Sequence, residues 1–359
     1  MKRIGEFKGI KPVLDHLMSL LTHDLSTKRQ LTIEISDTEV RGLIISIKLG
    51  IITVEDAFCI QEKDVLNSTK TALSEQVVVT IRDKVKEHKT SRTGISIALS
   101  ISGGVDKIVK LPPLDNKTMR DMLNENYKKF FTTLTDDNIQ GTETLGNRGK
   151  KQGEVYFLLS TFPKLPTISL SNQLEKRKVR INNIYNEVLA LRNVLSLVTP
   201  EKQTKCLLFM WKNRVQLVVT HNNTLIFHKM SELNRGTGGL DDLNIGYSDA
   251  WSNSKIEGEE RAQSVRISSL NSTLSWAAST LEYINQKKNV IVTEVLIAGD
   301  YLKIPTAKEL ISEELGVYVQ ELTVSHEENT AMEIVNWTNE NLESDYLISL
   351  GLSLRGLSI

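Results

Sequence analysis

The stretch Thr32–Gly42, "TIEISDTEVRG", decides the fold. It reads as a strand running into a tight polar turn, and from Leu43 "LIISIK" reads as a second strand. The stretch carries three carboxylates, Glu34, Asp37 and Glu39. A strand–turn–strand of this kind can present backbone N–H groups to an anion. Carboxylates at such a turn oppose any anion that would sit there.

Working outward, "IITVEDAFCI" (Ile51–Ile60) continues as a third strand. The same theme returns at Thr204–Lys229, "TKCLLFMWKNRVQLVVTHNNTLIFHK": strand, tight turn, strand, hairpin turn at Asn222-Asn223, strand. Each half of the chain therefore opens on three strands and goes on as mixed α/β. This is a duplication of pattern without a repeated sequence. A boundary near residues 199–203, after Pro200, separates the halves. Two facing α/β halves imply a cleft between them, where ligands usually sit.

The remaining segments fill in each half. Helices are expected at Leu73–His88, with Leu73, Val77, Ile81 and Val85 inward, and after Asn116, its expected cap, with Met119, Met122, Leu123, Tyr127 and Phe130 inward. A third helix takes Ile184, Val188, Leu191, Leu195 and Val198 as its face, and a fourth takes Leu270, Leu274, Ala278, Leu281 and Tyr283–Ile284. "TAKELISEELG" is a helix closed by Gly316. "GISIALSISG", "DKIVKLPPL", "EVYFLLSTF" and "VYVQELTV" read as strands, and "NVIVTEVLIAG" as a buried strand pair. Residues 134–153 and 231–265 are polar and Gly-containing and read as loops. Gly141-x4-Gly146 lacks the Lys and Ser/Thr of a phosphate-cradling P-loop and precedes a strand, so that motif is rejected. Ile10, Val13, Leu14, Leu17, Leu20 and Leu21 share one face of a short helix expected to pack on the body.

Bulk properties exclude several functions. The 359 residues favour two domains. Lys+Arg and Asp+Glu each total 44, so no net field gathers nucleic acid or anionic lipid. Cys59 and Cys206 sit among apolar residues and are expected as buried free thiols. No stretch approaches the roughly 18 apolar residues of a membrane span. No secretory signal, zinc-ligand spacing, Gly-x-Ser-x-Gly elbow or calcium loop is present; "GGLDD" (Gly238–Asp242) reads as a plain turn. His221 and His228, at the ends of one hairpin, are expected on opposite faces in surface roles.

Four segments in order resemble the actin-like ATPase superfamily and, within it, the PilM-like proteins of type IV pilus assembly, with the cytoplasmic part of GspL in type II secretion as a relative. They are "IEISDTEVRG", "IVKLPPLDNKTMRDMLNENYKKFF", "EVLIAGDYLKIPTAKELISEELGVYVQEL" and "LISLGLSLRGL". The resemblance runs from about Leu31 to the C-terminus. It implies an α/β, duplicated ribonuclease H-like fold of two lobes with inserted subdomains and a central cleft. The domains would be a helical extension at 1–30, a first lobe at 31–200 (insertion about 67–131), and a second lobe at 201–359 (insertion about 231–288). It further implies a cytoplasmic protein held at the inner membrane by a short peptide of a PilN-like partner, with a secretion ATPase as a further partner.

Carried over residue by residue, the family's nucleotide site is degenerate here. Glu34, Ser36 and Asp37 stand where the first phosphate turn has Asp, Gly and a small hydroxyl residue. Only Thr38 and Arg41 suit phosphate, and Asp37 opposes it at a cost on the order of 4 kcal/mol. In the second phosphate turn Phe209, Met210 and Trp211 replace Asp-x-Gly, followed by Lys212, Asn213 and Arg214, of which Lys212 and Arg214 could attract phosphate. Ala298 and Gly299 stand for the adenosine-loop glycine pair, followed by Asp300 and Tyr301. The expectation is a non-catalytic scaffold with no catalytic residue, no metal and no cofactor. The alternative is a divergent ATPase or sugar-kinase-like phosphotransferase that still takes ATP and magnesium. A cell-division relative of FtsA is disfavoured, because "SLGLSLRGLSI" carries a single charge.

Overall fold

The computed structural model describes residues 28–48, 51–62, 65–66, 71–90, 93–101, 104–112, 115–131, 137–145, 155–198, 203–211, 214–232, 257–300, 306–324, 333–335 and 345–355. The expected N-terminal helix, the Gly238–Asp242 turn, Lys212, Asn213 and Tyr301 lie outside them. The opening stretch folds as read. β1 (Lys28–Ser36), β2 (Glu39–Lys48) and β3 (Ile51–Gln61) form an antiparallel meander with Thr32 opposite Leu43. β4 (Ile95–Ser100) then pairs parallel to β1. The second half repeats this with β9 (Thr204–Trp211), β10 (Arg214–His221), β11 (Thr224–Glu232) and β12 (Glu294–Gly299), the last parallel to β9.

Completed, the first sheet runs β14-β3-β2-β1-β4-β8, with β8 at Ile181–Asn186 and β14 at Glu333–Val335. The second runs β11-β10-β9-β12-β13, with β13 at Tyr318–Glu321. Each thus contains a meander of three strands followed by parallel neighbours. That is the duplicated arrangement expected of the actin-like fold. A third sheet, β5-β7-β6 (Val105–Leu111, Val155–Pro163 and Asn138–Thr144), is covered by helix α2 (Asn116–Phe130). This separate unit begins later and ends later than the 67–131 insertion expected. The reason is that α1 (Glu75–Glu87) buries Val77, Val78, Ile81 and Val85 in the core of the first sheet. Asp115, not Asn116, caps α2, its carboxylate accepting the N–H groups of Lys117 and Thr118.

The layers follow from which helices are buried over most of their surface. α4 (Glu187–Val198) buries Val188, Leu189, Ala190, Leu191, Val194, Leu195, Leu197 and Val198, and all seven residues of α7 (Leu347–Ser353) are buried. A helix without a wet face must be enclosed. These two lie between the sheets, in one cluster with Leu43 and Ile45 of β2 and Leu207, Phe209 and Val218 of the second sheet. α1 and α3 (Lys164–Lys176) cover the outer face of the first sheet. α5 (Glu257–Lys288) and α6 (Ala307–Leu315) cover that of the second. The chain's last segments return to the first lobe: β14 pairs with β3, and Thr32 Oγ1 donates to the Ser349 carbonyl at 2.8 Å.

Other expectations are corrected. Ile184 belongs to β8, and the helix starts at Glu187. Residues 138–144 are strand β6, and Gly141 lies within it. Only Glu294–Gly299 of the expected strand pair is strand, while α5 already begins at Glu257. Gly316 does close α6, at φ 63°. Cys206 is buried but Cys59 is exposed.

Candidate functional site

The turn between β1 and β2 and the adjoining ends of β9 and β10, at Trp211 and Arg214, meet across the space between the two sheets. In the first, the Ser36 hydroxyl accepts the N–H of Glu39 at 3.1 Å and donates to its carbonyl at 3.1 Å. The side chain that replaces the family glycine therefore closes its own turn. Asp37 and Glu39 point at Arg214 and Trp211. Arg214 Nη2 donates to Asp37 Oδ2 at 3.0 Å, and its Nη1 donates to the Ser100 carbonyl at the end of β4. Trp211 Nε1 donates to Glu39 Oε1 at 3.2 Å. Glu39 is 2% exposed, so this carboxylate is desolvated and has protein donors in place of water.

Arg41 completes the joint. Its Nε lies 3.0 Å from Glu39 Oε1, its guanidinium stacks 3.8 Å from the Trp211 ring centroid, and its Nη1 donates to the Asp345 carbonyl just before α7. Such a buried cation over indole contributes on the order of 2 kcal/mol. Glu34, also buried, sits directly across the β1–β2 ladder from Arg41. Burial works against the Arg41 charge, but Glu39, Glu34 and Asp345 outweigh it and hold its pKa above the ordinary arginine value. Tyr346 packs beside the same guanidinium; burial, with the Cys59 thiol near it, pushes its phenol up to about 12.

The structure thus brings together Glu34, Ser36, Asp37, Phe209 and Trp211, the last two as parallel rings with centroids 6.4 Å apart. Gly299 has a different reason to be there. Its φ is +81°, and a Cβ on it would lie 2.0 Å from the Met210 carbonyl oxygen, so the close pairing of β12 with β9 demands glycine. Asp300 follows at the end of β12, half-buried. Two expectations fail. Arg214 does not await phosphate but pairs with Asp37. His228 is buried, with its Nδ1 2.5 Å from Asp106 Oδ2, while His221 is exposed. The sequence held a signal for the first: acids in one strand–turn–strand and bases in the matching place of the other.

A second cluster lies away from the joint. Asp56, Glu87 and His88 place possible metal-ligand atoms within 4.8 Å of one another. The Lys84 ammonium already sits 2.6 Å from Asp56 Oδ2 and 3.2 Å from Glu87 Oε2. It supplies the positive charge a metal would bring.

No protein-family model matches the sequence, and no curated protein matches it. Solved structures do. A PilM–PilN type IV pilus biogenesis complex matches with a TM-score of 0.70 and 13% identity, over 92% of this chain and 99% of that one. A Bacteroides thetaiotaomicron protein with an actin-like ATPase fold and unknown function matches at TM-score 0.41 and 11% identity, over 83% and 92% of the two chains. The cytoplasmic domain of EpsL, an inner-membrane component of the Vibrio cholerae type II secretion system, matches at 0.42 and 10%, over 91% and 94%. The chain has the actin-like ATPase fold.

Proposed function

We propose, from this shared fold, that the chain is a non-catalytic scaffold of a type IV pilus or type II secretion-like assembly, and that its two lobes are joined by side chains where relatives hold nucleotide. One observation carries the proposal: Asp37–Arg214 and Glu39–Trp211 tie the β1–β2 turn to the adjoining ends of β9 and β10. A triphosphate entering there would have to displace a buried ion pair and meet two carboxylates, and each lost partner costs several kcal/mol. The partner is a short cytoplasmic peptide of a PilN-like membrane protein, in keeping with the complex whose fold the chain shares.

Of two strands that could wall a peptide site, β4 and β5, β4 is paired on both sides by β1 and β8. Its backbone is therefore closed to an added strand. β5 lies at the edge of the third sheet beside α2 and is the better wall. In this role attachment runs through the partner; among the described residues no helix is long and apolar enough to cross a membrane.

The test is thermal melting with and without ATP–magnesium. A ligand at 100 times its dissociation constant stabilises by about 2.7 kcal/mol. No shift is expected, and a saturable shift would return the chain to the divergent ATPase class. Capture from solubilised membranes should recover an inner-membrane assembly protein; recovery of none would remove the scaffold role.

A further inference from the structure

His228 is the one described histidine whose ring is enclosed by two structural units. It projects from β11, the edge strand of the second sheet, and its Nδ1 meets Asp106 of β5 in the third sheet at 2.5 Å. Its Nε2 lies 3.2 Å from Gln216 Oε1 on neighbouring β10. The side chains of His228 and Asp106 are 4% and 14% exposed. The remaining charge near the ring is Glu187, buried in the first turn of α4. β7, the other strand of the third sheet touching β11, contributes no charged side chain, and Tyr156 is its one titratable residue. Lys229, next in sequence, turns to the opposite face and covers Trp276. Two carboxylates therefore face the ring, and Lys110, two strand positions from Asp106 on β5, lies over the Tyr156 ring.

We propose that His228 and Asp106 form a proton-operated clasp between the third sheet and the second lobe. With the proton on, the imidazolium answers Asp106 and Glu187 and uses both nitrogens as donors, to Asp106 and to the Gln216 carbonyl oxygen. With the proton off, one nitrogen loses its hydrogen, two buried carboxylates face a neutral ring, and the hold of β5 on β11 weakens. Burial alone would lower the imidazole pKa, but Asp106, by charge and hydrogen bond, and Glu187 raise it above the ordinary value. The sign follows. A group whose pKa is higher folded than unfolded contributes its full stabilisation below the unfolded value, about 6.5 for histidine. That contribution is lost as pH rises through the folded value. In the interval, the equilibrium for opening the clasp moves tenfold per pH unit toward open. β5 is the wall assigned above to the peptide, so the clasp would tie partner access to pH. It stands on its own geometry even if that assignment fails.

The experiment uses the full chain from pH 6 to 9. Hydrogen-exchange protection of the β5 and β11 amides, corrected for intrinsic rates, should fall by tenfold per pH unit within one interval above pH 6.5. The His228→Gln variant should lack that step, and the His221→Gln control should keep it. An NMR titration of the His228 ring in the unmutated protein should give a value above 6.5. A value at or below 6.5 overturns the proposal whether or not the variant folds, as does an unchanged step in His228→Gln.

Discussion

Arg214 reaches from the start of β10 to Asp37 and to the Ser100 carbonyl, so three elements of two sheets meet at one guanidinium. Both side chains of the ion pair are mostly buried, at 10% and 16% exposed. Removing one partner of such a pair leaves the other charge desolvated, which costs about 3–5 kcal/mol. Arg214→Ala is therefore expected to lose about that much in urea unfolding, with the slope unchanged. A loss under 1 kcal/mol would show that the joint is ornamental. Asp37→Asn combined with Arg214→Met should recover part of the loss, because a buried pair replaced as a unit is often neutral. The acids of this site were legible in "SDTEVRG". Their partners were not, because pairing across 177 residues depends on how two distant segments meet, which no local pattern records.

At the scale of elements, the strand–turn–strand of each half was legible because alternation and turn residues are local signals. α4 was legible as a helix but not as an enclosed one. Ile184 was drawn into its face because one more turn at helical spacing fits as well as a strand residue. Strand β6 was hidden by composition: "NIQGTET" is polar because all seven of its residues are at most half-buried on a small sheet, and Ile139 alone hints at alternation. The packing of α4 against α7 yields a sharper test. A Cβ on Gly351 would lie 2.1 Å from the Ala190 carbonyl oxygen, and Asn193 Nδ2 donates to the Gly351 carbonyl at 2.9 Å. The backbones of these two helices touch. Gly351→Ala, harmless by helix propensity, should instead cost about 1–3 kcal/mol from overpacking, read as a lowered melting temperature. A rise in stability would mean the helices sit further apart than their glycine contact implies.

For the molecule as a whole, the decisive feature is that the lobes share a core. One buried cluster contains β2 residues Leu43 and Ile45, helices α4 and α7, and second-sheet residues Leu207, Phe209, Trp211 and Val218. Neither sheet can lose its inner face without exposing that of the other. In an actin-type fold that works by opening, a hinge separates lobes that move around bound nucleotide, and interfaces between domains are usually polar and mobile. Here the charged joint closes one end of an apolar layer, and the enclosed helices fill the rest. Unfolding should therefore be a single event. Calorimetry should give one transition whose measured enthalpy equals its van't Hoff enthalpy, and addition of ATP–magnesium should leave it in place. Two separated transitions in the unmutated protein would mean that the lobes fold apart. The joint of Asp37, Glu39, Trp211 and Arg214 would then be only a contact between them. In Arg214→Ala the transition should move down while remaining single, because the shared apolar layer, not the ion pair, is what couples the two sheets.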